Sequence, residues 1–322
     1  MPTTSVRRFR SLFALAAALA AAPACAQTSA ELPLHLFAYD RAAPLELQSQ
    51  PLEAREGVDI HTISYASPRG GRVNGRLFVP QGRGPFAGVI LAHGAPGNAE
   101  AFTGRGVYIA KHGAVVIAID APFNRRPGGP MTLTPADSAE QVQLIVDLQR
   151  AVDVLLSRPD VDSARLAYVG RSYGGATGAL FAGVERRIKT YVLASADGGI
   201  TTRFTEPGAP PPPPGREEQA RAWLAAMQPI EGIRFIGNAN GSIYFQNGRG
   251  DPVVTPPRAE ALHTAFSGEK VVQWYDAGHA LNPAAYVDQL RWLSRHVGTT
   301  PPGPEDEAGP EIPPPPAQQP RP

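Results

Sequence analysis

Between residues 58 and 80 apolar and polar positions alternate in two stretches, 58–66 and 72–80, separated by Ser67-Pro68-Arg69-Gly70-Gly71. A period of two marks strands with one buried face, and Pro and Gly supply the turn, so the pair predicts an antiparallel hairpin at one edge of a sheet. From residue 86 the rhythm changes. Residues 86–92, 114–119, 166–169, 189–194 and 271–275 are short apolar runs with no alternation. Runs of that length read as strands buried on both faces, as in a parallel sheet. Helical spacing fills the gaps, at 101–112, 138–158, 176–184, 257–266 and 283–297. The clearest helix is 138–158, where Val142, Ile145, Val146, Leu148, Val152, Leu155 and Leu156 recur on one face and Pro159 ends the pattern. Strand and helix in alternation predict an α/β fold, a doubly wound and mostly parallel sheet with an antiparallel N-terminal hairpin.

Four segments fall outside that rhythm. Residues 1–26 have the layout of a signal peptide: Arg7, Arg8 and Arg10, then an apolar core over 12–22, then the small residues Ala24-Cys25-Ala26. Residues 27–56 read as an extended lead-in to a domain spanning 57–298. Residues 198–240 interrupt the alternation with Pro210–Pro214 and one short amphipathic piece carrying Trp223, Leu224 and Met227; this predicts a small cap over the strand ends. Residues 299–322 are rich in proline and acid, the composition of a disordered tail.

Composition narrows the function classes. The 322 residues carry a net charge of +1, and no basic run with interleaved aromatics occurs, so a nucleic-acid surface is not expected. The apolar stretch of the leader is too short and alanine-rich for a membrane span. Cys25 is the single cysteine, so cleavage after Ala26 leaves a mature chain without disulfides. The alternative is a lipid anchor on Cys25, as in a bacterial lipoprotein. Export to the periplasm or the medium is the expectation either way. There is no His-Glu-x-x-His, no cysteine pair and no Gly-x-Gly-x-x-Gly, so neither a metal nor any other cofactor is expected.

The chemistry concentrates where strands end. The apolar run Ala167-Tyr168-Val169 leads into Gly170-Arg171-Ser172-Tyr173-Gly174, and small residues then open a helix. That is the layout of a strand-to-helix turn that lifts a serine hydroxyl above a sheet edge. Ser172 is therefore the candidate nucleophile, and it needs an adjacent base. His279 follows the last apolar run and precedes the last helix, and it is the candidate base. Asp251 follows the strand-like run 243–250 and lies 28 residues before His279, where it can orient an imidazole. Its rival is Asp197, after the preceding strand; Asp276 reads as a turn residue. His93-Gly94-Ala95-Pro96-Gly97 follows another strand, and the backbone N–H groups of Ala95 and Tyr173 are the candidate oxyanion donors. The His93 ring and Asp120 read as loop braces. Phe123 and Trp223 are candidates for lining a substrate pocket.

Gly-x-Ser-x-Gly, then Asp251, then His279, in that chain order, resembles the α/β-hydrolase superfamily over residues 57–297. The segments around Asp251 and His279 are similar to its dienelactone hydrolase and acyl-peptidase branch. The resemblance implies a serine hydrolase, with a small-molecule ester as the expected substrate. Two alternatives stand beside it: a serine peptidase of the same fold, and a non-catalytic envelope binding protein on the same scaffold.

Overall fold

The computed structural model describes residues 31–206 and 208–311. Its strands are β1 (Gln48–Pro51), β2 (Val58–Ala66), β3 (Arg72–Pro80), β4 (Phe86–Ala92), β5 (Ala114–Ile119), β6 (Val161–Arg171), β7 (Thr190–Ala194), β8 (Ser242–Gly248) and β9 (Lys270–Tyr275). Its helices are α1 (Thr103–Ala110), α2 (Ala136–Leu156), α3 (Tyr173–Val184), α4 (Thr202–Thr205), α5 (Glu217–Met227), α6 (Gly232–Phe235), α7 (Pro256–Ala265) and α8 (Pro283–Val297). The strands form one sheet in the order β1-β2-β3-β5-β4-β6-β7-β8-β9. β1, β2, β3 and β5 pair antiparallel in succession, and from β5 through β9 every pairing is parallel. This is the mixed α/β sheet expected from the two rhythms of the sequence.

The two apolar layers lie on opposite faces. Leu144, Ile145, Leu148 and Val152 of α2 pack with Leu180 and Phe181 of α3 on one side. Val107 and Tyr108 of α1 and Leu290 and Leu293 of α8 cover the other. β4 and β5 are buried along almost their whole length, which is why they carry no alternation.

Three elements depart from the sequence expectation. β1 is a fourth antiparallel strand hidden in the lead-in: its four residues are all exposed, so no apolar pattern marks it. β9 is an apolar run, yet it forms the far edge of the sheet, with Val271 and Val272 exposed. A strand with one neighbour has no second layer to hide its faces. Residues 299–311, read above as the start of a disordered tail, pack against α1. The Asp306 carboxylate is buried and meets Lys111 Nζ at 3.0 Å and His112 Nε2 at 3.2 Å, while Tyr108 Oη donates to the Asp306 carbonyl at 3.0 Å. One buried carboxylate held by Lys111 and His112 orders a segment that lacks core residues. The expected leader, Cys25 and residues 312–322 lie outside the described residues.

The insertion between β7 and β8 packs on the first turn of α2 and along α3, from Ala176 near its start to Gly183, which lies against Phe235, near its end. Gly232 lies against the Ala176 carbonyl and Ala179 of α3, and Trp223 Nε1 donates to Asp137 of α2 at 2.9 Å.

Candidate active site

Ser172 joins β6 to α3 with φ 56° and ψ −116°, a region that non-glycine residues rarely enter. The surrounding chain holds it there. Ser172 N–H donates to the Ala194 carbonyl at 2.8 Å, and Ala176 N–H closes onto the Ser172 carbonyl at 2.9 Å. The turn is too tight for side chains on either flank. A Cβ at Gly170 would stand 2.3 Å from the Gly174 carbonyl oxygen, and one at Gly174 would stand 2.4 Å from that of Ala92. Both glycines are required by close backbone approach.

His279 lies in the loop between β9 and α8, and Asp251 in the loop after β8. The structure brings both to Ser172. His279 Nε2 is 2.8 Å from Ser172 Oγ, and His279 Nδ1 is 2.7 Å from Asp251 Oδ2. An ionised carboxylate only accepts, so Nδ1 carries the proton and Nε2 is left to accept from the serine hydroxyl. The other carboxylate oxygen, Oδ1, takes the N–H groups of Val253 at 2.8 Å and Val254 at 2.9 Å. Asp251 is thereby fixed with one oxygen aimed at the imidazole. The His279 side chain keeps 22% of its surface exposed, so the imidazole reaches solvent while the Asp251 carboxylate behind it is buried.

The backbone of His279 is also held. Its carbonyl accepts from Arg171 Nη2 at 3.0 Å and from Ser195 Oγ at 2.9 Å. Sequence reasoning missed Ser195. Its position just past the carboxyl end of β7 was the available signal, since open α/β sheets place their sites there.

The loop after β4 lies against the nucleophile: a Cβ on Gly94 would stand 3.2 Å from Ser172 Cβ. The N–H groups of Ala95 and Tyr173 have no acceptor among the described residues. His93 braces this loop from below. Its Nδ1 donates to the Gly94 carbonyl at 2.9 Å, and its Nε2 accepts from Ala121 N–H at 3.1 Å. Burial pushes the His93 imidazole below its ordinary range, which favours this neutral form. Asp120 Oδ1 accepts from Ala99 N–H at 2.8 Å and ties down the far end of the loop.

Other candidates fall elsewhere. Phe123 is buried, its ring edge-on to His93 at 5.8 Å and to Tyr173 at 5.6 Å, so it supports the two loops. Trp223 is buried against Phe204. Aromatics near a rim pack wherever a neighbouring layer covers them. Asp197 faces Arg203 at 3.2 Å rather than His279, and Asp276 is exposed in its turn.

Glu231 is buried near Asp197 and accepts from Thr201 N–H at 2.8 Å. Burial, with Asp197 adding to it, pushes the Glu231 carboxyl up to about 7 from 4.5. The folded state then holds a proton that the unfolded chain has released across that interval. Stability from this group is present below about pH 4.5 and is lost as pH rises through about 7. Glu231→Gln is expected to flatten that slope by up to about 3 kcal/mol, read from urea unfolding at pH 5 and pH 8. An unchanged slope would refute the assignment.

No family model matches the chain. A cutinase from Thermobifida alba is 32% identical over 178 residues, 54% of this chain and 57% of the cutinase. A mouse acyl-coenzyme A amino acid N-acyltransferase is 31% identical over 176 residues, 52% of this chain and 38% of that enzyme. The chain spans about half the length of these curated relatives or less. Among solved structures, an acetyl xylan esterase from Paenibacillus sp. R4 superposes with a TM-score of 0.66 at 23% identity, covering 79% of this chain and 89% of that one. The chain has the α/β-hydrolase fold. A dienelactone hydrolase, assigned as such from Klebsiella pneumoniae, shares this α/β-hydrolase fold at a TM-score of 0.53 and 18% identity, covering 74% of this chain and 99% of that one. Within the α/β-hydrolase fold, Ser172 occupies the strand-to-helix elbow, and the loops carrying Asp251 and His279 follow in chain order.

Proposed function

We propose that the protein is an exported serine hydrolase that cleaves carboxylic esters through an acyl-enzyme on Ser172. The observation that carries this reading is the unbroken line Asp251–His279–Ser172, with contacts of 2.7 and 2.8 Å, set at a strained turn. His279 takes the hydroxyl proton as Ser172 Oγ attacks the ester carbonyl. Negative charge develops on the carbonyl oxygen and is met by the N–H groups of Ala95 and Tyr173, a donor pair of the kind worth roughly 2.7–4 kcal/mol each in the transition state. Tyr173 also opens α3, whose dipole favours that charge. The tetrahedral adduct collapses, the ester C–O bond breaks, and His279 returns the proton to the departing alcohol. Water, deprotonated by His279, then releases the acid and restores Ser172. Asp251 holds the tautomer and stabilises the imidazolium. The names of the relatives, cutinase and acetyl xylan esterase, support ester cleavage over peptide cleavage. Export rests on the leader-like residues 1–26.

Treatment with a fluorophosphonate is expected to add one phosphonyl group, located by mass spectrometry on the peptide containing Ser172. A 4-nitrophenyl ester should give a burst of nitrophenol matching the labelled fraction. Turnover with no adduct on Ser172 would refute the acyl-enzyme. Cleavage of peptide anilides with no ester turnover would make the protein a peptidase.

A further inference from the structure

An opening lies beside the elbow, on the same rim of the sheet. It is a groove of about 350 Å³ between the antiparallel strands and the loop after β4. That volume is in the range of small-molecule sites. The floor comes from one face of β1, β2 and β3. Register pairs Gln50 with Thr62 and Thr62 with Arg76, and likewise Gln48 with Ser64 and Ser64 with Asn74, so all six side chains share that face. Earlier along β2 the same face is apolar: Val58 and Ile60, with Phe78 of β3, are buried beneath α1. Where α1 stops covering the sheet, the face turns to carboxamides and hydroxyls.

The inner wall is formed by Asn98, Ala99, Glu100 and Asp120. Asn98 is three residues from Ala95 in the loop that lies against Ser172, a reach of about 10 Å. Across the sheet, Gly170 pairs with Ala92, Leu91 with Ala118, and Ile119 with Gly75. The groove thus begins three strand spacings from the elbow, about 15 Å, on the same rim.

Its chemistry selects the occupant. Arg76 and Glu100 face each other at 3.6 Å and offset one another's charge. The carboxamides of Gln50 and Asn74 and the second carboxylate oxygen of Asp120 have no hydrogen-bond partner among the described residues. Apolar lining is limited to Ile63, Ala99 and Gly75, too little to bury an acyl chain. Donors and acceptors without net positive charge suit a neutral molecule rich in hydroxyls.

We propose that this groove binds the alcohol half of the substrate, and that this half is a neutral oligosaccharide. The proposal rests on the ester-hydrolase reading above: an ester on one sugar hydroxyl reaches Ser172 while neighbouring sugars lie along the groove. The acyl group passes to Ser172 Oγ, and the sugar oxygen leaves with the proton carried by His279.

The test uses the full chain. Ser172→Ala protein is mixed with cello-, xylo- or maltotetraose, and saturation transfer to the sugar protons is read by NMR. Transfer to at least one tetraose is expected, with a loss of at least tenfold on adding Gln50→Ala and Asn74→Ala. With Ser172 restored, the same two substitutions should lower, by at least tenfold, the ratio of kcat/KM for the acetylated tetraose to that for 4-nitrophenyl acetate. No transfer from any of the three sugars, or transfer indifferent to both substitutions, overturns the groove assignment, whatever happens to the nitrophenyl ester. Sugar binding with no turnover of any ester leaves the groove standing and overturns the hydrolase reading instead.

Discussion

Ser172→Ala is expected to lower kcat on a short 4-nitrophenyl ester by roughly 10⁵–10⁶, with little change in the amount of folded protein. The size follows from how the three residues act: without the nucleophile, His279 has no hydroxyl to deprotonate, and only the oxyanion donors and binding contribute to the remaining rate. Removing the hydroxyl leaves the backbone of the elbow intact, since the Ser172 N–H and carbonyl make their bonds to Ala194 and Ala176 independently of Oγ. A melting temperature close to that of the parent and an activity below about 10⁻⁴ of it would both be required. Retention of a tenth of the activity would remove Ser172 from the mechanism.

The second large effect is expected at Asp251. Asp251→Asn keeps the shape of the side chain but offers an N–H₂ group where a carboxylate oxygen stood. Val253 and Val254 both donate to Oδ1, so the asparagine oxygen stays with them and its nitrogen turns toward His279 Nδ1. Two donors then face each other unless the imidazole changes tautomer, and the changed tautomer presents a proton, not a lone pair, to Ser172 Oγ. A loss of roughly 10⁴ in kcat follows at neutral pH. Asp197→Asn provides the contrast. That carboxylate meets Arg203 rather than the imidazole, so its replacement should alter stability more than kcat. If both asparagine variants lost kcat equally, the assignment of the orienting acid would fail.

The parts of the structure legible in the sequence are those governed by local rules. The buried strands β4 and β5 declare themselves by continuous apolar residues, and α2 by its spacing and Pro159. The meeting of residues 172, 251 and 279 follows from three sites at strand ends on one rim. What escaped depends on distant partners. β1 has four exposed residues and exists because β2 offers unpaired backbone groups. Val271 and Val272 look buried by type and are exposed because nothing follows β9 in the sheet. Phe123 and Trp223 look like pocket walls until the layers that cover them are in place. Ser195 gains its role from a carbonyl 84 residues away. The polar groove needed the register of three strands and a loop from a fourth.

Asp306 has a consequence for where the folded unit ends. With its carboxylate fastened to Lys111 and His112, and Thr300 N–H donating to the His112 carbonyl at 2.7 Å, the segment past α8 acts as a buckle across the helix that precedes β5. Trimming the gene after Gly298 would strip Lys111 Nζ and His112 Nε2 of the buried carboxylate that both meet. The working C-terminal boundary therefore lies beyond Asp306, well past the last long helix.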